Sequence, residues 1–141
     1  MSEVHVTESV AAPAARVWEV LGDFGGVLKW GGTMLLSCTV EGSGVGAVRR
    51  IGLPGGAEIT ERCEAYDPAG RSLSYSIVGK SPIPIRSYFS TVKVVSEGPN
   101  PCRVEWRGTF EPDGVTEEQA QGMVRGIYTG GIAGARKLLG V

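Results

Sequence analysis

Between residues 34 and 110 the chain repeats one device: a short apolar or alternating stretch, closed by a turn rich in glycine and proline. The stretches run from Met34 to Val40, Ala47 to Leu53, Ala57 to Tyr66, Ser72 to Val78, Arg86 to Ser96 and Cys102 to Phe110. Alternation of this kind predicts strands, because successive side chains on a strand point to opposite faces. The breaks at Gly42-Ser43-Gly44, Pro54-Gly55-Gly56, Asp67-Pro68-Ala69-Gly70, Ser81-Pro82-Ile83-Pro84 and Gly98-Pro99-Asn100-Pro101 supply the residues tight turns need. Strands joined this closely pair antiparallel, since a parallel return needs a crossover of about a dozen residues or more. The middle of the chain is therefore a meander.

Upstream, Val4, Val6 and Val10 mark a further strand ending at Ala11. Pro13 opens a short helix carrying Val17, Trp18 and Leu21, and Gly22, Gly25 and Gly26 close it. Residues Val27 to Trp30 form a second brief helical turn before Gly31-Gly32. Downstream, Thr116-Glu117-Glu118-Gln119 is a capping box, in which Thr116 accepts from the amide of Gln119 and Gln119 reaches back to the cap. A helix follows to about Leu139, with Met123, Val124, Ile127, Tyr128, Ile132, Ala135, Leu138 and Leu139 recurring at three and four residues. One face of that helix packs on the sheet. The expected fold is α+β: one domain over residues 1–141, a seven-stranded curved antiparallel sheet wrapped around a long C-terminal helix, with two short helices after the first strand.

The predicted C-terminal helix also carries Gly122, Gly126, Gly130 and Gly134, plus Gly131. Each costs up to about 1 kcal/mol relative to alanine, so something compensates. Close packing on the sheet is one compensation. The other is a bare helix surface that leaves room for a ligand in front of a concave sheet.

Composition removes several functions. With 14 Lys+Arg against 15 Asp+Glu the net charge is -1, which leaves no basic footprint for nucleic acid or anionic lipid. His5 is the single histidine, so no metal site needing two imidazoles can form, and a histidine-activated nucleophile has one fragile route. Cys38, Cys63 and Cys102 are widely spaced and odd in number, as expected of a reduced, cytoplasmic chain. No apolar run reaches the roughly 18 residues of a membrane span. Gly42-x-Gly44-x-x-Ala47 joins two strands instead of opening a helix, and Pro82 and Pro84 follow Gly79-Lys80-Ser81, so neither is a phosphate loop. No cofactor and no metal is expected. Monomer and weak homodimer both stay open.

The hairpin around Pro54-Gly55-Gly56 assigns faces. A three-residue loop pairs Leu53 with Ala57, Ile51 with Ile59, Arg49 with Glu61 and Ala47 with Cys63. The apolar partners place this set on the inner face, and with it an opposed Arg49 and Glu61. Such a pair either balances itself as a structural element or meets a ligand. Continuing the alternation adds Leu73, Tyr75 and Ile77, then Arg86, Tyr88, Ser90 and Val92, then Val104, Trp106, Gly108 and Phe110. A mainly apolar cavity with a few polar handles is the usual composition of a small-molecule site.

The order of elements, together with Val10-Ala11-Ala12-Pro13, Val17-Trp18, Asp23-Phe24 through Trp30, Gly46-Ala47-Val48-Arg49, Glu61-Arg62, Leu73-Ser74-Tyr75, Tyr88, the run Val104 to Phe110, and Tyr128 with Gly130-Gly131, resembles the helix-grip superfamily of START domains and birch-pollen-type allergens. It is most similar to small bacterial polyketide cyclase/dehydrase-like members. Gly52-Leu53-Pro54 resembles the gate loop of plant abscisic-acid receptors, and Met123, Ile127 and Gly131 fall on the pocket side of the helix in that resemblance. Gly32 stands where those receptors carry the lysine that holds the hormone, and Ile83-Pro84-Ile85 replaces their latch. The resemblance thus implies a gated pocket without the hormone anchor.

The expected function is binding of a small, largely hydrophobic molecule, such as a polyketide, aromatic metabolite or lipid, between sheet and helix. An enzyme would use Glu61, tuned by Arg49, as acid or base while Tyr88 donates to an oxygen. A carrier needs only burial and loop closure. The expected contacts are Trp30, Ile51, Leu53, Pro54, Ile59, Cys63, Tyr75, Ile77, Arg86, Ser90, Trp106, Gly108, Phe110, Met123, Ile127 and Gly131. A protein-interaction module would instead use Leu53, Ile83 and Ile85 at the loop rim.

Overall fold

The computed structural model describes residues 1–32 and 35–141. Strand β1 (Ser2–Val10) leads into helix α1 (Ala14–Leu21) and a 3-10 turn (Val27–Lys29). Six strands follow: β2 (Ser37–Glu41), β3 (Val48–Gly52), β4 (Glu58–Asp67), β5 (Ser72–Ile77), β6 (Ile85–Ser96) and β7 (Cys102–Pro112). Helix α2 (Glu117–Leu139) closes the chain. The expected strand start at Met34 falls outside the described residues.

The strands form a single antiparallel sheet in the order β1-β7-β6-β5-β4-β3-β2. The meander thus runs from one edge toward the other, and β1 returns to cover β7. In the β3–β4 hairpin Arg49 stands opposite Glu61 and Ile51 opposite Ile59, as the turn length requires. The Leu53 amide donates to the Ala57 carbonyl and the Cys63 amide to the Ala47 carbonyl, which completes the expected register.

Two register shifts bend the sheet, one at Cys63/Ala65 in β4 and one at Arg86/Phe89 in β6. A bulge adds a residue to one strand and increases its local twist, so the sheet curls around α2. The second shift also reverses the face on which two residues lie. Ser87 sits at φ 55°, in the left-handed region, so Arg86 points outward and pairs with Glu111 at 3.3 Å. The alternation had placed Arg86 inside. Ile85, expected on the exposed rim, is 2 % exposed and belongs to the core.

Helix α2 begins at the capping box, with Thr116 and Gln119 satisfying each other's backbone amides. Gly140 ends it in the left-handed conformation at φ 74°, where a residue without Cβ carries no strain. Its buried side is Ala120, Val124, Tyr128, Gly131, Ile132 and Ala135, packed toward β1 and β7. Arg136 clamps it to β1 by bonds to Glu8 Oε1 at 2.8 Å and the Ser9 carbonyl at 2.6 Å.

Candidate functional site

The core does not fill the whole space between sheet and helix. Toward the β3–β4 end a cavity of ≈ 560 Å³ remains, within the usual size of a small-molecule site. Ile51, Ile59, Tyr75, Ile77 and Tyr88 form the sheet wall, and Met123, Gly126, Ile127, Gly130 and Gly131 form the helix wall. Val27, Trp30, Gly31, Gly32 and Leu35 close one end, and Leu53 and Ile83 reach in from two loops. Met123 and Ile127 are 45 % and 44 % exposed while lining this space, apolar surface that no side chain among the described residues covers.

The helix glycines divide between the two compensations. A Cβ at Gly131 would lie 2.9 Å from the Trp106 ring and 3.0 Å from Trp30, and one at Gly134 would strike the Trp30 carbonyl. These two glycines admit the packed tryptophans. A Cβ at Gly126 or Gly130 would meet nothing within 4 Å, and both residues line the cavity. They withhold volume from it.

Arg49 and Glu61 form the polar centre. Arg49 Nε donates to Glu61 Oε1 at 2.8 Å, and a second guanidinium nitrogen lies 2.7 Å from the same oxygen. The remaining nitrogen donates to the Phe24 carbonyl at 2.8 Å. The Phe24 ring covers the guanidinium at 4.3 Å and the Tyr75 ring at 4.8 Å, distances suited to cation–π attraction. The arginine is thus held by a carboxylate, a carbonyl and two rings, which offsets the cost of its burial.

Beside the cavity, in the packed core between sheet and helix, lies a second polar group. Tyr128 donates to Ser90 Oγ at 2.9 Å, and the Tyr88 and Tyr128 hydroxyls are 2.6 Å apart. A hydroxyl has one proton, so Tyr88 donates to Tyr128. Its proton is therefore committed within the protein, which leaves it an acceptor toward the cavity. Trp106 Nε1 donates to Tyr75 at 3.1 Å and to Ser90 at 3.2 Å, and its ring stacks on Tyr128 at 5.0 Å between centroids.

Burial pushes the Tyr75, Tyr88 and Tyr128 phenols up, and neighbouring phenols and the Glu61 carboxylate add to the shift. The folded chain therefore keeps protons that the unfolded chain releases above about pH 10. Stability is intact below that pH and falls above it, because each of these phenols ionises in the unfolded chain while its folded counterpart keeps its proton. In an alkaline titration, phenolate absorbance from these tyrosines should rise together with loss of the near-ultraviolet circular dichroism. Ionisation of three tyrosines with the fold intact would contradict the burial.

Of the residues expected in the site, Arg49, Glu61, Tyr88, Trp30, Ile51, Leu53, Ile59, Tyr75, Ile77, Met123, Ile127 and Gly131 line the cavity. Ser90, Trp106 and Phe110 are at most 1 % exposed and lie behind its wall. Gly108 makes room for the Tyr88 and Tyr128 rings, since a Cβ there would strike the Tyr128 hydroxyl. Pro54 is exposed in a 3-10 turn (Pro54–Gly56), and Arg86 is on the outer face. Cys63 lines a different depression of ≈ 660 Å³, open to solvent and edged by Glu19 and Asp23. Val27, Gly31 and Leu35 complete the cavity without having been expected as contacts, together with Gly32, which stands where the resembled receptors carry their lysine. The three-residue spacing of Val27 and Trp30 on a helical turn is the sequence signal that would have found Val27.

Comparison with known proteins agrees with this architecture. The solved structure of the protein XoxI from Bacillus cereus superposes with a TM-score of 0.87 at 30 % identity, covering 97 % of this chain and 94 % of that one. MLP-like protein 423 of Arabidopsis thaliana is 28 % identical over 116 residues, 77 % of this chain and 75 % of the relative. Truncated norcoclaurine synthase from Thalictrum flavum matches with a TM-score of 0.79 at 18 % identity, over 98 % of this chain and 92 % of that one, a likeness of fold. The family model described as polyketide cyclase / dehydrase and lipid transport matches residues 1–140, and the chain belongs to that family, within the helix-grip superfamily.

Proposed function

We propose that this protein binds a small, largely hydrophobic molecule in the cavity between the sheet and α2, and that it acts as a carrier or sensor of that molecule. The observation that carries the reading is the uncovered apolar wall: Met123 and Ile127 on the helix face Ile51, Ile59 and Ile77 on the sheet across ≈ 560 Å³. Covering such surface contributes about 25 cal/mol per Å² removed from water, the natural driving force for an apolar ligand. Leu53 and Ile83 form the mouth, and Gly55 and Gly56, at φ 81° and 82°, give the first of these loops a backbone that can rearrange. Closure of that loop over the ligand would slow amide exchange at residues 52–56 more than in the sheet. Equal exchange with and without ligand would leave an ordinary hairpin loop.

Native mass spectrometry of freshly purified protein tests the binding reading. A retained low-mass species, released by extraction with apolar solvent, is the expected result. Repeated failure to find one, together with failure of added aromatic or lipid compounds to bind, would overturn it.

A second reading has its own observation. Among the described residues Glu61 Oε2 has no hydrogen-bond partner, so a carboxylate oxygen is available for proton transfer during a cyclisation or dehydration. Incubation with linear polyketide or aromatic substrates, followed by product analysis, separates the catalyst from the carrier.

A further inference from the structure

The two carboxylate oxygens of Glu61 are not equivalent. Oε1 takes both contacts from Arg49, at 2.8 and 2.7 Å. Oε2 takes none among the described residues, yet it is not sealed from solvent; the one sealed and unpartnered side-chain polar atom among them is Trp30 Nε1. Glu61 lines the cavity, so Oε2 is an acceptor reachable from it. Arg49 lines the cavity too but offers less: its side chain is 3 % exposed, and each of its three nitrogens already has an oxygen partner. The pair therefore presents a free acceptor to the cavity, while the nitrogens of its positive half are already partnered.

Charge counting narrows the ligand. Arg49 and Glu61 balance, and the other lining residues carry no formal charge. A carboxylate ligand would meet the carboxylate oxygen of Glu61. An ammonium ligand would enter an apolar cavity whose single negative charge is already neutralised, and would remain an uncompensated buried cation.

We infer that Glu61 Oε2 is the specificity determinant of the cavity and selects a neutral hydrophobic alcohol or phenol, whose O–H donates to it. This rests on the cavity being the binding site, as proposed above. A hydrogen bond to a charged acceptor is stronger than a neutral one, and a ligand without a donor would cover this oxygen and leave it unbonded, so the preference should be large.

The test uses 2-naphthol, its methyl ether 2-methoxynaphthalene, and 2-naphthoate, titrated into the whole protein and followed by the methyl resonances of Ile51, Ile59 and Ile127. The ether keeps the oxygen and the rings and loses the donor. The expected result is that 2-naphthol binds about tenfold or more tightly than the ether, and that 2-naphthoate binds no better than the ether. In the double variant Arg49→Met with Glu61→Leu the advantage of naphthol over the ether should disappear while the ether still binds. Equal affinity of naphthol and ether for the wild-type protein, or preference for naphthoate, would overturn the inference and leave the cavity standing as a binding site. The wild-type comparison decides this even if the double variant does not fold. No response to any of the three would overturn the cavity reading and this inference with it.

Discussion

Glu61→Gln should lower the stability of the fold by about 3 kcal/mol or more, because the change leaves Arg49 charged and enclosed with no counter-charge. The guanidinium is shielded from water: the Phe24 and Tyr75 rings cover it at 4.3 and 4.8 Å, and it is 3 % exposed. Replacing both partners, by Arg49→Met with Glu61→Leu, should recover most of that loss, since an apolar pair of similar volume avoids the desolvation cost altogether. Urea denaturation of the two variants measures both effects. A single variant as stable as wild type would mean that Glu61 is solvated and that the ion pair contributes nothing. If Glu61 is instead a catalytic acid or base, the same single variant would lose roughly 100-fold in turnover at little cost in stability.

The second large effect belongs to the helix. Gly130→Leu should abolish binding of a bulky apolar ligand, weakening it by about a hundredfold or more, because the new side chain occupies cavity volume that a close-packed wall cannot return. The fold should survive and even gain up to about 1 kcal/mol from the improved helix propensity, since a Cβ at this position meets nothing within 4 Å. Gly131→Leu, one residue on, should instead destabilise the fold. Its Cβ would already crowd Trp106 and Trp30 at 2.9 and 3.0 Å, and overpacking of that kind costs about 1–3 kcal/mol. Thermal melts and ligand titrations on the two variants separate volume withheld for a ligand from volume withheld for tryptophan. Identical behaviour of the two would contradict the division.

That division also explains how far the sequence could be read. Glycines at 122, 126, 130 and 134 form a regular pattern in one dimension, but four residues advance an α-helix by about 400°, so each lies about 40° further around the axis than the last. The row drifts across the helix. Gly122 meets open space, Gly126 and Gly130 line the cavity, and Gly134 backs onto the Trp30 carbonyl. Spacing alone assigns all four one role, and three-dimensional context assigns them three.

The β3–β4 register was legible for a simple reason: a loop of known length fixes which residues face each other, and Arg49 opposite Glu61 follows from counting. Counting fails where a strand carries an extra residue. The bulge at Arg86/Phe89 has no strong signature, since Ser87 is an unremarkable residue that takes φ 55° only in its tertiary setting. Arg86 was therefore assigned to the wrong face, while Tyr88 beyond the bulge was not. Layering was also out of reach. Ser90, Trp106 and Phe110 are buried in the filled core, where Tyr128 of α2 bonds Ser90 and stacks on Trp106, and alternation cannot tell a covered inward residue from a cavity wall.

Intermolecular nuclear Overhauser effects between a bound apolar ligand and the protein's methyl groups locate the binding site. Contacts are expected from one ligand to Ile59 and Ile77 on the sheet and to Ile127 and Met123 on the helix, all of which line the same cavity. Contacts confined to Val40 and Ala47, at the open depression beside Trp18 and Tyr66, would place the binding site elsewhere and contradict the cavity reading.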